Sequence, residues 1–206
     1  MEPAAGYIRL HNMILHTNVL GPHIRCAVWL QGCHRNCRGC MSGKAKPLQG
    51  GQLARVDEVC ESIARLNDIE GITISGGEPF LQIDALHELL RKIRGETPLG
   101  VIIYTGYYLD ELKSLRSKKI DEILSGLADI VIDGPYIDTL NDGKSLKGSS
   151  NQTVNFLTDR YRDSAFLYEG ITRNVELRVT GREMFFIGIP DEKTLASWKK
   201  IAGKDK

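Results

Sequence analysis

Three cysteines lie close together in the sequence, at positions 33, 37 and 40. Such a group can bind zinc, hold an iron-sulfur cluster or carry out redox chemistry. A structural zinc site needs four ligands, and His34 could complete the set, although adjacent Cys33 and His34 would be strained on one ion. A 4Fe-4S cluster usually takes four thiolates, so three leave one iron open to a small molecule. The spacing favours a cluster and leaves zinc and unligated or redox cysteines as alternatives.

A glycine-rich turn, Ser75-Gly76-Gly77-Glu78-Pro79, follows a predicted strand. Glycines let the end of a strand bend so that its backbone faces a ligand, because they carry no Cβ atom. Glu78 adds a carboxylate, and Pro79 stiffens the exit from the turn. Alone, this segment would be ordinary turn chemistry. Together with the cysteines, we interpret it as part of a ligand-binding site.

Composition excludes several classes of protein. The 206 residues are 42% hydrophobic and 26% charged, which is typical of a single soluble globular domain. A formal net charge of +1 provides no long-range electrostatic attraction to nucleic acid or to an anionic membrane. No apolar run is long enough to span a bilayer and the start lacks a secretion signal, so we expect a cytoplasmic protein. The sequence shows no Ser/His/Asp set and no carboxylate pair of the kind that catalyses hydrolysis. We therefore assign no catalytic side chain.

Short, β-branched apolar runs predict parallel strands buried on both faces. They cover residues 26–30, 71–75, 101–104 and 129–133. Two stripes at helical spacing separate them, and a third helix is expected from Leu109. The stripes consist of Val56, Val59, Cys60 and Ile63, and of Leu86, Leu89, Leu90 and Ile93. Strands that alternate with helices indicate a parallel sheet whose chemistry lies beyond the carboxyl ends of its strands.

The last part of the chain does not continue the alternation of strands and helices. A polar loop covers residues 141–151, and a hairpin is predicted from residues 175–180 and 183–187 around Gly181-Arg182, followed by a helix from Asp191. We expect this tail to cover the edge of the sheet. Cys26 and Cys60 lack partners at ligand spacing and are expected to be buried small hydrophobes. The complete prediction is an α/β fold, an open partial (β/α) barrel of mainly parallel strands with flanking helices and a C-terminal hairpin and helix.

Several segments together resemble a known family. The C-x3-C-x2-C spacing after the first predicted strand and the Gly-Gly-Glu-Pro turn resemble radical S-adenosylmethionine (SAM) enzymes. Their order with three further segments is similar to that in activating proteins of anaerobic ribonucleotide reductase, over roughly residues 20–157. The further segments are Tyr104-Thr105-Gly106-Tyr107, Asp133-Gly134-Pro135-Tyr136 and Gly148-Ser149-Ser150-Asn151-Gln152.

The resemblance implies roles for these residues. Cys33, Cys37 and Cys40 would hold a 4Fe-4S cluster whose fourth iron is chelated by the amino and carboxylate groups of SAM. Gly39, Cys40 and Met41 would run alongside the adenine, Met41 standing where many relatives carry an aromatic residue. The remaining expected SAM contacts are Gly76, Gly77, Glu78, Pro79, Thr105, Gly106, Gly134, Ser149, Ser150, Asn151 and Gln152. For the last four, a polar loop that caps the next helix is the alternative.

The resemblance also implies a reaction and partners. A 5′-deoxyadenosyl radical from reductive SAM cleavage would take a hydrogen atom from a backbone glycine of a glycyl-radical enzyme, an anaerobic ribonucleotide reductase or similar enzyme, with a flavodoxin or ferredoxin-type protein as electron donor. We expect one radical SAM domain over residues 1–206, with a core of about 20–157 and an extension of about 158–206. A small-molecule or peptide substrate is a second hypothesis, because relatives often carry Asp at the Glu78 position. A zinc-binding interaction module is the third.

Overall fold

A seven-stranded mixed sheet forms the centre of the computed structural model, which describes residues 3–181 and 183–201. Its strand order is β3-β1-β2-β4-β5-β6-β7. The four central strands β2, β4, β5 and β6 are parallel, as predicted, whereas β1, β3 and β7 run antiparallel to their neighbours. The strands are β1 (Tyr7–Thr17), β2 (Arg25–Leu30), β3 (Gln52–Arg55), β4 (Gly71–Gly76), β5 (Gly100–Tyr104), β6 (Ile130–Asp133) and β7 (Thr153–Phe156).

Helices cover one face of this sheet. Both predicted helical stripes are confirmed, since they are buried on α1 (Val56–Ala64) and α2 (Ile83–Glu96) against Cys26, Val28 and Leu30 of β2. The third predicted helix is α3 (Leu109–Ser114), followed by α4 (Lys118–Glu122) and a π-helical turn over Ile123–Leu127. Cys26 and Cys60 are buried in the same core, as expected. Within the described residues, no helix has the length and apolarity needed to cross a bilayer.

The opposite face of the sheet is covered by the last third of the chain. Tyr161 and Tyr168 pack on Ile102, Ile130 and Ile132 of β5 and β6. The predicted hairpin is present as a separate two-stranded sheet, with β8 (Val175–Thr180) paired to β9 (Glu183–Gly188), and α5 (Glu192–Ile201) follows it. Arg182, in the expected turn, lies outside the described residues.

The hairpin covers a face of the sheet, and the expectation that it covers an edge is wrong. Ile187 packs in one cluster with Val19, Leu20 and Ala27, and the Ala27 side chain belongs to the face of β2 opposite the helices. The hairpin reaches this face through Phe185 and Ile187, which are two positions apart on β9, lie on the same side of the hairpin and pack into that cluster.

Two further expectations about the strands are corrected. The strand that precedes the cysteines is the second in the chain, because β1 comes before it. Residues 149–152 do not cap a helix, because β7 starts directly after them at Thr153. Both corrections leave the central prediction intact. The carboxyl ends of β2, β4, β5 and β6 lie along one edge of the sheet, and the loops that carry the motifs leave from there.

Candidate functional site

The loops after the four parallel strands meet around one cleft that is open to solvent. Cys33, Cys37 and Cys40 all line it, and all are free, half-buried thiols. Of the other residues expected to contact SAM, eight line the same cleft: Met41, Gly76, Gly77, Glu78, Thr105, Gly106, Gly134 and Gln152. Residues far apart in sequence therefore converge because their strands are parallel neighbours.

The cysteine loop is held against the loop after β4 by backbone hydrogen bonds. The amide of Gly77 donates to the Leu30 carbonyl at 2.7 Å, and the amide of Glu78 donates to the Gly32 carbonyl at 2.8 Å. A Cβ atom on Gly77 would lie 2.1 Å from the Gly32 oxygen, so only glycine permits this approach. These amides are thus used within the protein, and the glycines bring the two loops together.

Glu78 connects the loop after β4 to the loop after β5. Its carboxylate accepts hydrogen bonds from the Thr105 hydroxyl at 2.8 Å, the Gly106 amide at 2.8 Å and the Phe80 amide at 3.1 Å. Burial raises the pKa of Glu78, and the three hydrogen bonds oppose that shift. Pro79 is buried at the first position of the short helix that Glu78 caps, and it does not line the cleft. Glu78 therefore braces the loop after β5 against the loop after β4.

The Ser149–Gln152 segment supports the loop after β6. Gln152 donates through Nε2 to the Gly134 carbonyl at 2.8 Å and accepts from the Gly148 amide at 2.7 Å. The Ser149 hydroxyl accepts from the Ile137 amide, the Asn151 amide group donates to the Pro135 carbonyl, and the Ser150 amide donates to the Leu140 carbonyl. Ser149, Ser150 and Asn151 do not line the cleft, so in this structure they shape one of its walls from behind.

Gly39 was also expected to contact SAM but does not line the cleft. Its φ of +70° lies in the left-handed region, and a Cβ atom would meet the Asp138 carboxylate at 2.3 Å. The glycine therefore lets the cysteine loop turn tightly against the loop after β6. Met41, two residues on, reaches the cleft and packs near Leu20 and Ile189.

The three cysteines provide fewer ligands than the four that a structural zinc site needs. Among residues 3–181 and 183–201, no three His, Cys, Asp or Glu side chains are placed to hold one ion between them. A zinc ion draws four ligands to one point, whereas a cube-shaped cluster binds each cysteine at a different iron. Burial raises the pKa of the Cys33 and Cys40 thiols.

Comparisons with known proteins agree with this geometry. The family described as a 4Fe-4S single cluster domain matches residues 19–155. The anaerobic ribonucleoside-triphosphate reductase-activating protein of Salmonella typhimurium is 32% identical over 158 residues, which cover 73% of this chain and 99% of that protein. This chain belongs to the family of these activating proteins. The Escherichia coli K12 protein is 32% identical over 147 residues, or 68% of this chain and 92% of that protein. The bacteriophage T4 protein is 29% identical over 146 residues, or 68% and 89%.

The family match includes every motif loop of the cleft but leaves out part of its wall. Gly188 and Ile189 line the cleft and lie beyond the matched residues 19–155. Because 99% of the Salmonella activating protein is covered by 73% of this chain, the chain has residues that the match does not reach. Part of the cleft wall therefore comes from residues that follow the stretch matched by the family model.

Sequence reasoning missed several residues that line the cleft. Arg35 had a signal, because it lies inside the cysteine loop; it stacks over the Tyr107 ring at 4.7 Å and pairs with Glu111 at 2.9 Å. Ser75 and Tyr136 stood within recognised motifs without being assigned a role. Tyr104 and Gly148 also stood within recognised segments without an assigned role. The remaining lining residues carried no motif and are brought in by tertiary packing: Leu20, Trp29, Ser42, Gly188 and Ile189.

Proposed function

We propose that this protein is a radical SAM activating enzyme that generates a glycyl radical on an anaerobic ribonucleotide reductase. A bound 4Fe-4S cluster would supply the electron for reductive cleavage of SAM to methionine and a 5′-deoxyadenosyl radical, and that radical would take a hydrogen atom from the partner's glycine. The proposal extends to this chain what the names of its relatives say of them. It also includes a cytoplasmic location.

One observation carries the proposal. Cys33, Cys37 and Cys40 line the same cleft as the Gly76–Glu78 loop and the loops after β5 and β6. Three cysteine ligands leave one iron of a cluster without a protein ligand. A site with that vacancy beside an open cleft suits a cofactor that binds the iron directly, and a fully ligated structural cluster would need no such space.

The chain's own residues have defined tasks in this proposal. The three cysteines hold the cluster, and Gly76, Gly77, Thr105, Gly106, Gly134 and Gln152 form the cleft in which SAM lies. Glu78 keeps two of these loops in register through its hydrogen bonds to Thr105 and Gly106. Met41 lies beside the adenine. The roles expected for Gly39, Pro79, Ser149, Ser150 and Asn151 become indirect, because they support the loops that line the cleft.

The partners follow from the same reaction. A backbone glycine of a folded reductase can reach the cleft only on a loop, and the cleft opens to solvent. Flavodoxin or a ferredoxin-type protein would supply the electron. We further propose that residues 1–206 form one radical SAM domain, with a core of about 20–157, an extension of about 158–206 and a sheet curved as an open partial barrel.

Anaerobic reconstitution tests the proposal. The parent protein, loaded with iron and sulfide and then reduced, should form 5′-deoxyadenosine and methionine from SAM. Cys33→Ala, Cys37→Ala and Cys40→Ala should form neither, whereas the buried Cys60→Ala control should retain both products. Addition of an anaerobic ribonucleotide reductase should then produce a glycyl radical signal. SAM cleavage without that signal would support a small-molecule or peptide substrate, and a colourless protein with one zinc per chain would contradict the proposal.

A further inference from the structure

The cleft has an apolar wall as well as its polar loops. Leu20, Trp29, Met41, Tyr104 and Ile189 all line it, and all belong to one packing cluster on the face of the sheet opposite the helices. The polar lining comes from the cysteines and from Glu78 and Thr105, on the loops after β2, β4 and β5. A ligand in this cleft therefore meets one charged or polar region and one apolar region.

Ile189 reaches this wall from the segment beyond the family match. It follows β9 directly and is only 6% exposed. The residues that follow Ile189 fix its position. The Asn141 side chain donates a hydrogen bond to the Pro190 carbonyl at 3.3 Å. At the start of α5, the Asp191 carboxylate accepts a hydrogen bond from the Thr194 amide at 2.7 Å. The buried Arg173 guanidinium donates in turn to the Asn141 side chain. The wall is thus anchored to Asn141, in the polar loop of residues 141–151.

We infer that the C-terminal hairpin completes the cofactor cleft and that Ile189 packs against the adenine base of SAM. The inference rests on the proposed function and adds a binding residue to it. An adenine ring presents broad apolar faces, while the methionine part of SAM is charged, so the base belongs at the apolar wall. The polar end then remains for the methionine part, on the side of the cysteines.

The same wall is less suited to an apolar group of a partner protein. Ile189 is buried and shares its cluster with Met41, the residue that directly follows Cys40. It therefore lies inside the cleft, in the space that the proposed function assigns to the cofactor. A docking residue would instead lie at the rim and be exposed.

Ile189→Ala and Ile187→Ala provide a matched pair of variants. Both isoleucines are buried in the same cluster, at 6% and 2% exposure, but Ile187 does not line the cleft. Both variants should lose similar thermal stability, since each removes the same buried carbons. Only Ile189→Ala should weaken binding of a nucleoside, and Ile189→Val, which removes one carbon, should have a smaller effect.

Equilibrium dialysis of the cluster-loaded, full-length protein measures this directly, with 5′-deoxyadenosine and methionine as separate probes. Ile189→Ala should raise the Kd for 5′-deoxyadenosine by about tenfold, the cost of losing roughly two methylene contacts, and leave the Kd for methionine unchanged. Equal nucleoside affinity in Ile189→Ala, Ile187→Ala and the parent would overturn the inference while the parent still cleaves SAM. A parent that neither binds nor cleaves SAM would instead overturn the proposed function and the inference with it.

Discussion

The Thr105 hydroxyl donates a hydrogen bond to the buried Glu78 carboxylate at 2.8 Å and so joins the loops that follow β4 and β5. The Gly106 amide binds the second carboxylate oxygen of the same residue at 2.8 Å. A glutamate that was expected to contact the cofactor thus also supports the geometry of the cleft. Substitutions at Glu78 should therefore affect folding as well as chemistry.

Glu78→Gln should lower the free energy of unfolding by about 1–3 kcal/mol, because the amide presents an NH2 group to backbone and hydroxyl donors and leaves buried groups unpaired. Urea denaturation of the cluster-free protein measures the loss. Glu58→Gln, at an exposed position of α1, is the control and should be neutral. Thr105→Val removes one of the same bonds, so the double variant should cost less than the sum of the singles. Strict additivity would argue against the coupling.

Gly77→Ala should separate the two loops that meet at the cysteines. The added Cβ atom would lie 2.1 Å from the Gly32 carbonyl oxygen and 2.9 Å from that of Ala45, and backbone atoms cannot yield as a flexible side chain does. We expect a loss of about 2–3 kcal/mol in the free energy of unfolding and a lower iron content after reconstitution, measured by colorimetric iron analysis.

Gly95→Ala is the control for that variant. Gly95 lies within α2, and apart from the neighbouring backbone of its own helix no atom lies within 4 Å of its added Cβ position. Alanine should stabilise the protein by about 0.5–1 kcal/mol and leave the iron content unchanged. If Gly77→Ala bound iron as well as Gly95→Ala does, the close approach of the two loops would not matter for the site.

The end of the sheet opposite the cleft depends on a buried arginine. Arg25 is fully buried; it donates to the Thr73 and Tyr161 hydroxyls at 2.8 Å, to the Ile72 and Gly100 carbonyls, and pairs with Glu70 at 3.0 Å. Arg25→Met should cost about 3–5 kcal/mol, because it leaves these partners without their donor.

Arg65→Met removes an exposed pair with Glu61 on α1 and should change stability little. Tyr161→Phe, which removes one hydroxyl from the Arg25 network, should fall between the two in urea denaturation. Equal midpoints for Arg25→Met and Arg65→Met would show that the Arg25 network does not hold the sheet together.

The elements with strong local patterns could be predicted from the sequence. Leu86, Leu89, Leu90 and Ile93 form a regular helical stripe, and the four parallel strands are nearly continuous apolar runs. β1 was missed because His11, Asn12 and His16 interrupt its apolar residues. β3 and β7 were missed because each has only two apolar side chains among four residues, whereas the equally short β6 has three in a row. Strands of this kind form through pairing with neighbours that the local sequence does not reveal.

The residues of the site also fall into those that the sequence could predict and those that it could not. Cys33, Gly77 and Thr105 could be placed in one cleft because each follows a parallel strand, and this needs no knowledge of side-chain packing. Ile189 could not, because its position depends on how a hairpin from the far end of the chain packs on Ala27 and Leu20. The sequence also could not show that Ser149 and Asn151 support the loop after β6, since polar side chains can form hydrogen bonds with ligands and with backbone groups alike.

Electron paramagnetic resonance of the anaerobically reduced protein, with and without SAM, tests the central claim most directly. We expect the spectrum of a reduced 4Fe-4S cluster whose signal changes when SAM is added, because the iron without a cysteine ligand binds the cofactor. Cys33→Ala, Cys37→Ala and Cys40→Ala should lack that spectrum, and Cys60→Ala should keep it. A cluster signal that SAM leaves unaltered would contradict the account, as would a reduced parent protein that contains no cluster.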